Sequence, residues 1–437
     1  MTLIEDIARF ASGVRYADMP LDDVAAIKRL VLDTIGCGLG AVGCQPATML
    51  LPLLRAPSGP EDAATLTGSG QVVSLDSAIL YNGTLVRYLD FMDVYWARDI
   101  CHPAENIPVA LACAQAAGSS GAQLIEAIAV AYEVQVRLAD AFSLEGMGMH
   151  HVSAAGFVAP LVMGKLWGLN EEQMAHACAL GGFRHLTHDA LVRGGLSMAK
   201  AIGYAVAASE CVMSTRLAAQ GFTGPLHVLD RMNVRGLDLT PGTGSASRVS
   251  LKQFPVQYTL QSPIEAALDL RRQIDLTQIE ELRVEVLADV CKRTADPAKF
   301  SPANRETADH SMPCCVAMAL LDGKLETAQF HEDRWKDADV RALMQKIRVE
   351  PSAELEQRWP NGRPARLIVK LRDGSSKSVL IEAPLGDASR PMNGDDLERK
   401  FMGLAVPVLG TAQSRQVVQH IAALEQMAVM PDLIRHP

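Results

Sequence analysis

The sequence predicts a mainly α protein: a large all-helical domain holding both termini, 1–261 and 391–437, with a smaller α+β domain inserted at 262–390. Three observations predict it. Apolar residues recur at helical spacing through most of the first half of the chain. From about residue 275 they alternate, and the stretch around Asp373-Gly374 has the grammar of a β-hairpin. Beyond Pro384 and Gly386 helical spacing returns.

After Pro20, the residues Val24, Ile27, Leu30, Val31 and Ile35 mark one helical face, with Asp22 and Asp23 suited to the N-terminal turn. Gly118–Gly121 breaks the chain before a helix marked by Leu124, Ile128, Ala131, Val134 and Leu138. His151–Leu169 is rich in Ala, Gly and Val, and Asn170 is placed to cap the next helix. Lys200–Ala219 is a further Ala-rich helix, ended by Gly221. Small residues on several faces predict helices packed on more than one side. In the inserted domain Leu282, Val284 and Val286 alternate with Arg283 and Glu285, as a half-buried strand does. Leu367–Leu371 and Val379–Ile381 flank Asp373-Gly374, which supplies the positive φ of a tight turn. Between these strands a loop leads into a helix near Ser311, and the last helices are expected over Asp395–Leu404 and Ser414–Met427.

Composition narrows the function classes. The 437 residues, 49% hydrophobic and 21% charged, are globular in character. A net charge of -9 argues against nucleic acid or an anionic membrane as partner, since counterion release needs a basic footprint. It leaves open a small anionic substrate, which senses only its own cleft. Met1–Arg15 carries Glu5, Asp6 and Arg9 where a secretory segment needs an unbroken apolar run. Val152–Leu166 is interrupted by Gly and Pro and falls short of a membrane span. Nine Cys with no C-x-x-C spacing read as reduced core thiols of a cytoplasmic protein, with no metal site. The one G-x-G-x-x-G match, Gly38 to Gly43, follows a helix and reads as close helix packing.

Four polar clusters stand in apolar surroundings, where burial is costly. The first is Asn82–Asp93 followed by His102-Pro103-Ala104-Glu105-Asn106. On a helix Asp90 and Asp93 would share a face, and Asp90 with His102 would form a carboxylate–imidazole pair for proton transfer; a helix end and cap is the structural alternative. The second is His150-His151-Val152-Ser153, either a cleft lining or satisfied core histidines. The third, Arg193–Lys200, offers free N–H groups at a Gly-Gly turn and the charge of Lys200, or else a solvated helix start. The fourth, Ser301–Pro313, is a dense polar loop leading into an apolar helix.

The order of these motifs resembles the MmgE/PrpD family. It runs from N-G…R-x-L-D-F-x-D…H-P-x-E-N through Lys165-Leu166-Trp167-Gly168-Leu169, Ser-x-x-Lys at 197–200 and Gly221-Phe222-Thr223-Gly224-Pro225 to T-A-D-H-S-x-P at 307–313. The family includes 2-methylcitrate dehydratase, cis-aconitate decarboxylase and iminodisuccinate epimerase. The resemblance implies a helical domain with a smaller α+β lid, a homodimer, and catalysis without metal or organic cofactor. It implies a lyase acting on a small di- or tricarboxylic acid, dehydratase-like, with decarboxylation or epimerisation as alternatives and a non-catalytic carboxylate-binding relative as a further one. Asp90, His102, His151 and Lys200 match its catalytic segments; His150, Ser197, Gln261, Arg305, His310 and Cys314 are the expected substrate-binding positions. His102 and His151 would serve as base and acid, with Asp90 orienting His102, while Lys200 and Arg305 hold carboxylates. Val94 and Cys314 stand where many members have Thr and Tyr, removing two hydroxyls from the expected site wall; Gln261 and Glu105 also depart from the commoner residues.

Overall fold

The computed structural model describes residues 1–359 and 362–430. Positions 431–437, the end of the expected helical domain, lie outside them. Helices dominate, accompanied by a small mixed sheet. Eight helices build the first of two large hydrophobic cores: α1 (Leu3–Gly13), α2 (Leu21–Gly40), α3 (Leu75–Tyr88), α4 (Ile107–Ala117), α5 (Gly121–Ala141), α6 (Ala155–Leu166), α7 (Glu171–Gly182) and α8 (Ala199–Ala219). Thr2, Ser120 and Asn170 each close a capping box, satisfying donors that a helix start leaves free. α6 is buried almost all round and packs directly on α7. A Cβ on Gly156 would lie 2.7 Å from the carbonyl oxygen of Gly181, so this crossing requires its glycine.

The glycine-rich end of α2 is a packing device, as its helical context predicts. A Cβ on Gly40 would come 2.6 Å from Leu404 Cδ2 and 3.2 Å from Leu89 Cδ1.

The second core gathers α9 (Gln261–Arg271), α10 (Met312–Asp322) and a four-stranded sheet. Its strands are β1 (Ile279–Val286), β2 (Ile347–Pro351), β3 (Ala365–Leu371) and β4 (Ser376–Ile381), in spatial order β2-β1-β3-β4. β1 runs parallel to β2 and antiparallel to β3, which pairs antiparallel with β4. Leu282, Val284, Leu367 and Val369 turn their side chains into the core, as the alternation demands. Gly374, at φ 83°, makes the hairpin turn. β2 escapes the sequence reading because it is short, mostly exposed and ends in Pro351.

The chain then returns to the first core. Helix α11 (Gly394–Ala422) is broken at Gly410 and packs along α2. Its Lys400 reaches Asp33 at 2.6 Å and the carbonyl of Phe91 at 2.8 Å, fixing the segment that follows α3. Among the described residues no helix is long and apolar enough to cross a membrane. All nine cysteines are unbridged, and eight are buried.

Candidate active site

α3 ends at Tyr88, and Asp90 turns the chain in the left-handed region at φ 51°. This overturns the expectation that Asp90 and Asp93 share a helical face. A short polar side chain tolerates that backbone conformation, and the two carboxylates consequently serve separate networks.

Asp90 is a hub of buried charge. Lys252 Nζ lies 2.5 Å and Arg87 Nη1 3.0 Å from its Oδ1, while Lys200 Nζ lies 3.0 Å and His310 Nε2 3.5 Å from its Oδ2. Burial would raise its carboxyl, but Arg87, Lys200, Lys252 and His310 hold it well below the carboxylate range. Lys200 bridges onward to Asp309 at 3.5 Å.

Asp93 anchors the other network. Its carboxylate accepts from Tyr132 Oη at 2.6 Å and the Ala104 N–H at 3.1 Å, while burial pushes its carboxyl up to about 7. Its backbone oxygen lies 2.5 Å from His102 Nδ1. A carbonyl can only accept, so Nδ1 carries the proton and Nε2 keeps its lone pair. His102 is therefore oriented by the Asp93 main chain and not by the Asp90 carboxylate, which corrects that pairing.

His150 caps the short turn His151–Ala154 that leads into α6. The His102 and His151 rings are 5.1 Å apart, and those of His150 and His151 are 4.0 Å apart. Burial, then the Arg87 charge, pushes His151 down to about 3; burial and Lys200 push His310 down to about 4. Burial likewise lowers His102 and His150 well below their ordinary value. All four imidazoles are thus neutral at neutral pH. Behind His151, burial against the pull of Arg87 raises Glu105 to about 8.

Between these groups lies a cavity of about 100 Å³. Arg87, Lys252, Lys292, Arg293 and Arg193 supply its cations, the four imidazoles its bases, and Asp90 and Asp296 its acids. The surplus of positive groups suits a small polyanion. Asp90, His102, His150, His151 and His310 line this cavity, and Lys200 sits one layer behind it.

The other expected positions do not line it. Ser197 is exposed in the loop before α8. Gln261 folds back, accepting from the Gln253 and Phe254 N–H groups and donating to the Phe254 carbonyl. Cys314 lies in the second core, where burial raises its thiol to about 12. Arg305 stacks 4.2 Å from the Tyr88 ring centre, donates to the Tyr88 carbonyl and faces Asp309 at 3.4 Å. Val94 pairs its backbone with Ser250 and is buried, and neither it nor Cys314 lines the cavity.

Sequence reasoning missed Arg87, Lys252, Lys292 and Arg293 as cavity cations. Arg87 stood inside a quoted motif, but a lone Lys252 and a Lys-Arg pair on a short helix look like ordinary solvated charge. Asp90, Asp309 and His310 offer atoms within 4.8 Å of one another, a spacing that a cation could use. Lys200 and Lys252 already occupy the Asp90 oxygens, so a metal ion there would have to displace an ammonium group.

Fold and cavity together define a mostly helical protein with a buried, cation-lined acid–base pocket. The chain belongs to the MmgE/PrpD family: the MmgE/PrpD N-terminal domain matches residues 5–238 and the MmgE/PrpD C-terminal domain residues 254–426. It is 26% identical to 2-methylcitrate dehydratase of Escherichia coli (strain K12), over 91% of this chain and 90% of that protein. It is 24% identical to cis-aconitate decarboxylase of Homo sapiens, over 100% of this chain and 95% of that one. It is also 23% identical to cis-aconitate decarboxylase of Aspergillus terreus, over 98% of this chain and 94% of that one.

Proposed function

We propose that the protein is a lyase that removes water from a hydroxylated di- or tricarboxylic acid, in the manner of 2-methylcitrate dehydratase. The observation that carries this reading is the cavity itself, where neutral imidazoles face a ring of cations. Arg87, Lys252, Lys292 and Arg293 bind the substrate carboxylates and stabilise the charge that develops when an α-proton leaves. His102 Nε2 takes that proton. His151, backed by Glu105, protonates the departing hydroxyl, so the C–O bond breaks, a C=C bond forms and water is released. An arriving polyanion offsets the field that depresses the imidazoles, so the substrate itself brings His151 toward a protonatable state.

Lys292, Arg293 and His310 come from the smaller domain, which supports its role as a lid that completes the cavity when substrate enters. The family likeness supports a homodimer, measurable by light scattering. The test of activity is the absorbance of a new conjugated double bond when 2-methylcitrate or citrate is added. Failure to turn over any hydroxy di- or tricarboxylate would sink the reading. Decarboxylation is the second reading, supported by the full-length likeness to the human enzyme, and release of CO₂ from cis-aconitate would replace the first by it. Epimerisation would show instead as solvent deuterium entering the α-carbon without loss of water or CO₂.

A further inference from the structure

A second, smaller chamber of about 30 Å³ adjoins the cationic cavity, and Ile100 and His151 line both. Its character is opposite. Leu138, Ala139, Phe142, Phe157, Leu229 and Met232 make most of its wall. Gln135 is the exception: its carboxamide oxygen accepts from Asn106 at 2.7 Å, while its Nε2 has no hydrogen-bond partner. Asp99 also borders the chamber, but its oxygens are taken by the N–H groups of Ile100, Leu144 and Glu145. An ordered water needs two to four polar partners. Beside Gln135 Nε2 only the His151 ring, which this chamber shares with the cationic cavity, brings unpartnered side-chain atoms to it, and the rest of the wall is apolar or already hydrogen-bonded, so an apolar occupant suits it better than water.

We propose that the chamber is a subsite for a short alkyl branch on the acid, with Ala139 and Met232 setting the length of branch admitted. The proposal rests on the reading of the cationic cavity as the carboxylate site. The carboxylates stay with Arg87 and Lys252, while a methyl or ethyl group passes His151 into the apolar chamber. His151 then sits at the boundary between the charged and apolar parts of one ligand. A single methylene in such a pocket is worth roughly 10–200-fold in discrimination.

The test uses the full-length protein with citrate and its methyl- and ethyl-branched homologues, reading dissociation constants by calorimetry and kcat/KM where turnover occurs. The wild type should favour the branched acids by about tenfold or more. Ala139→Leu fills the chamber and should abolish that preference while leaving citrate within about twofold. Ala139→Val, a smaller insertion, should do the same in part and serves if the leucine variant fails to fold. Met232→Ala, at the partly exposed rim, should extend the preference to a propyl branch. Equal affinities for all three acids in the wild type, or equal losses for branched and unbranched acids in Ala139→Leu, would overturn the subsite while leaving the carboxylate site standing. Failure of every acid to bind would overturn the carboxylate site and the subsite with it.

Discussion

Glu105 Oε2 and His151 Nε2 lie 3.5 Å apart at the back of the cavity, and neither atom has a hydrogen-bond partner. With the carboxyl raised to about 8 and the imidazole lowered to about 3, the pair holds one proton through neutral pH, on the carboxyl. A buried proton donor beside an empty acceptor is poised to move that proton when charge enters next door.

The raised Glu105 carboxyl has a thermodynamic signature. Its stabilising neutral form is fully present below the ordinary carboxyl range and is lost as pH rises through about 8. Glu105→Gln mimics the neutral form, so it should gain stability relative to wild type as pH rises from about 5 to about 8. Urea unfolding at several pH values checks this, and parallel curves would refute it. Activity of the variant should fall about 10²–10⁴-fold if the proton is used.

His102 presents its unprotonated Nε2 because Asp93 holds Nδ1. His102→Ala should lower kcat/KM by about 10²–10⁴, measured under conditions where the variant is folded. A wild-type rate in this variant would remove His102 from the chemistry.

Asp90→Asn leaves Arg87, Lys200 and Lys252 facing one another without their shared counterion. Removing one partner from a buried ionic network typically costs about 3–5 kcal/mol. Chemical unfolding should show a loss of that order, and a loss under about 1 kcal/mol would mean the hub is not held as described.

The depressed histidines make ligand binding proton-linked. In the empty protein, stability is full above their ordinary value near 6.5 and is lost as pH falls toward about 3 to 4. A bound polycarboxylate raises these values, so binding should take up protons and tighten as pH falls toward 6.5. Calorimetry in buffers of different ionisation enthalpy measures that uptake directly. At 100-fold excess over Kd the ligand should also stabilise the fold by about 2.7 kcal/mol.

The sequence revealed what depends on periodicity and local chemistry. The helices from Val24 to Ala219, the Asp373-Gly374 hairpin and the alternation of β1 all follow from it. Asp90, His102, His151 and His310 could be singled out because polar groups in apolar text carry a cost. Contacts across long separations were not legible. Nothing local to Lys252 says that its ammonium meets a carboxylate 162 positions earlier, and nothing in Gln261 says that its amide turns back on residues 253 and 254. The sequence does not decide between a helix that carries both Asp90 and Asp93 and one that ends before them, because no glycine or proline marks the positive φ of Asp90.

The late return of α11 constrains how the protein is made. Helix α2 shows Gly36 and Gly40 to Phe401 and Leu404, which are synthesised some 360 residues later. A ribosome that has released everything through α8 has therefore released a helical layer with its outer groove still open. The segment that seals it also brings Lys400 to the carbonyl of Phe91, one residue from the Asp90 hub. The nascent N-terminal half must wait, exposed, for α11, and the segment around Asp90 sets only once that helix has been made.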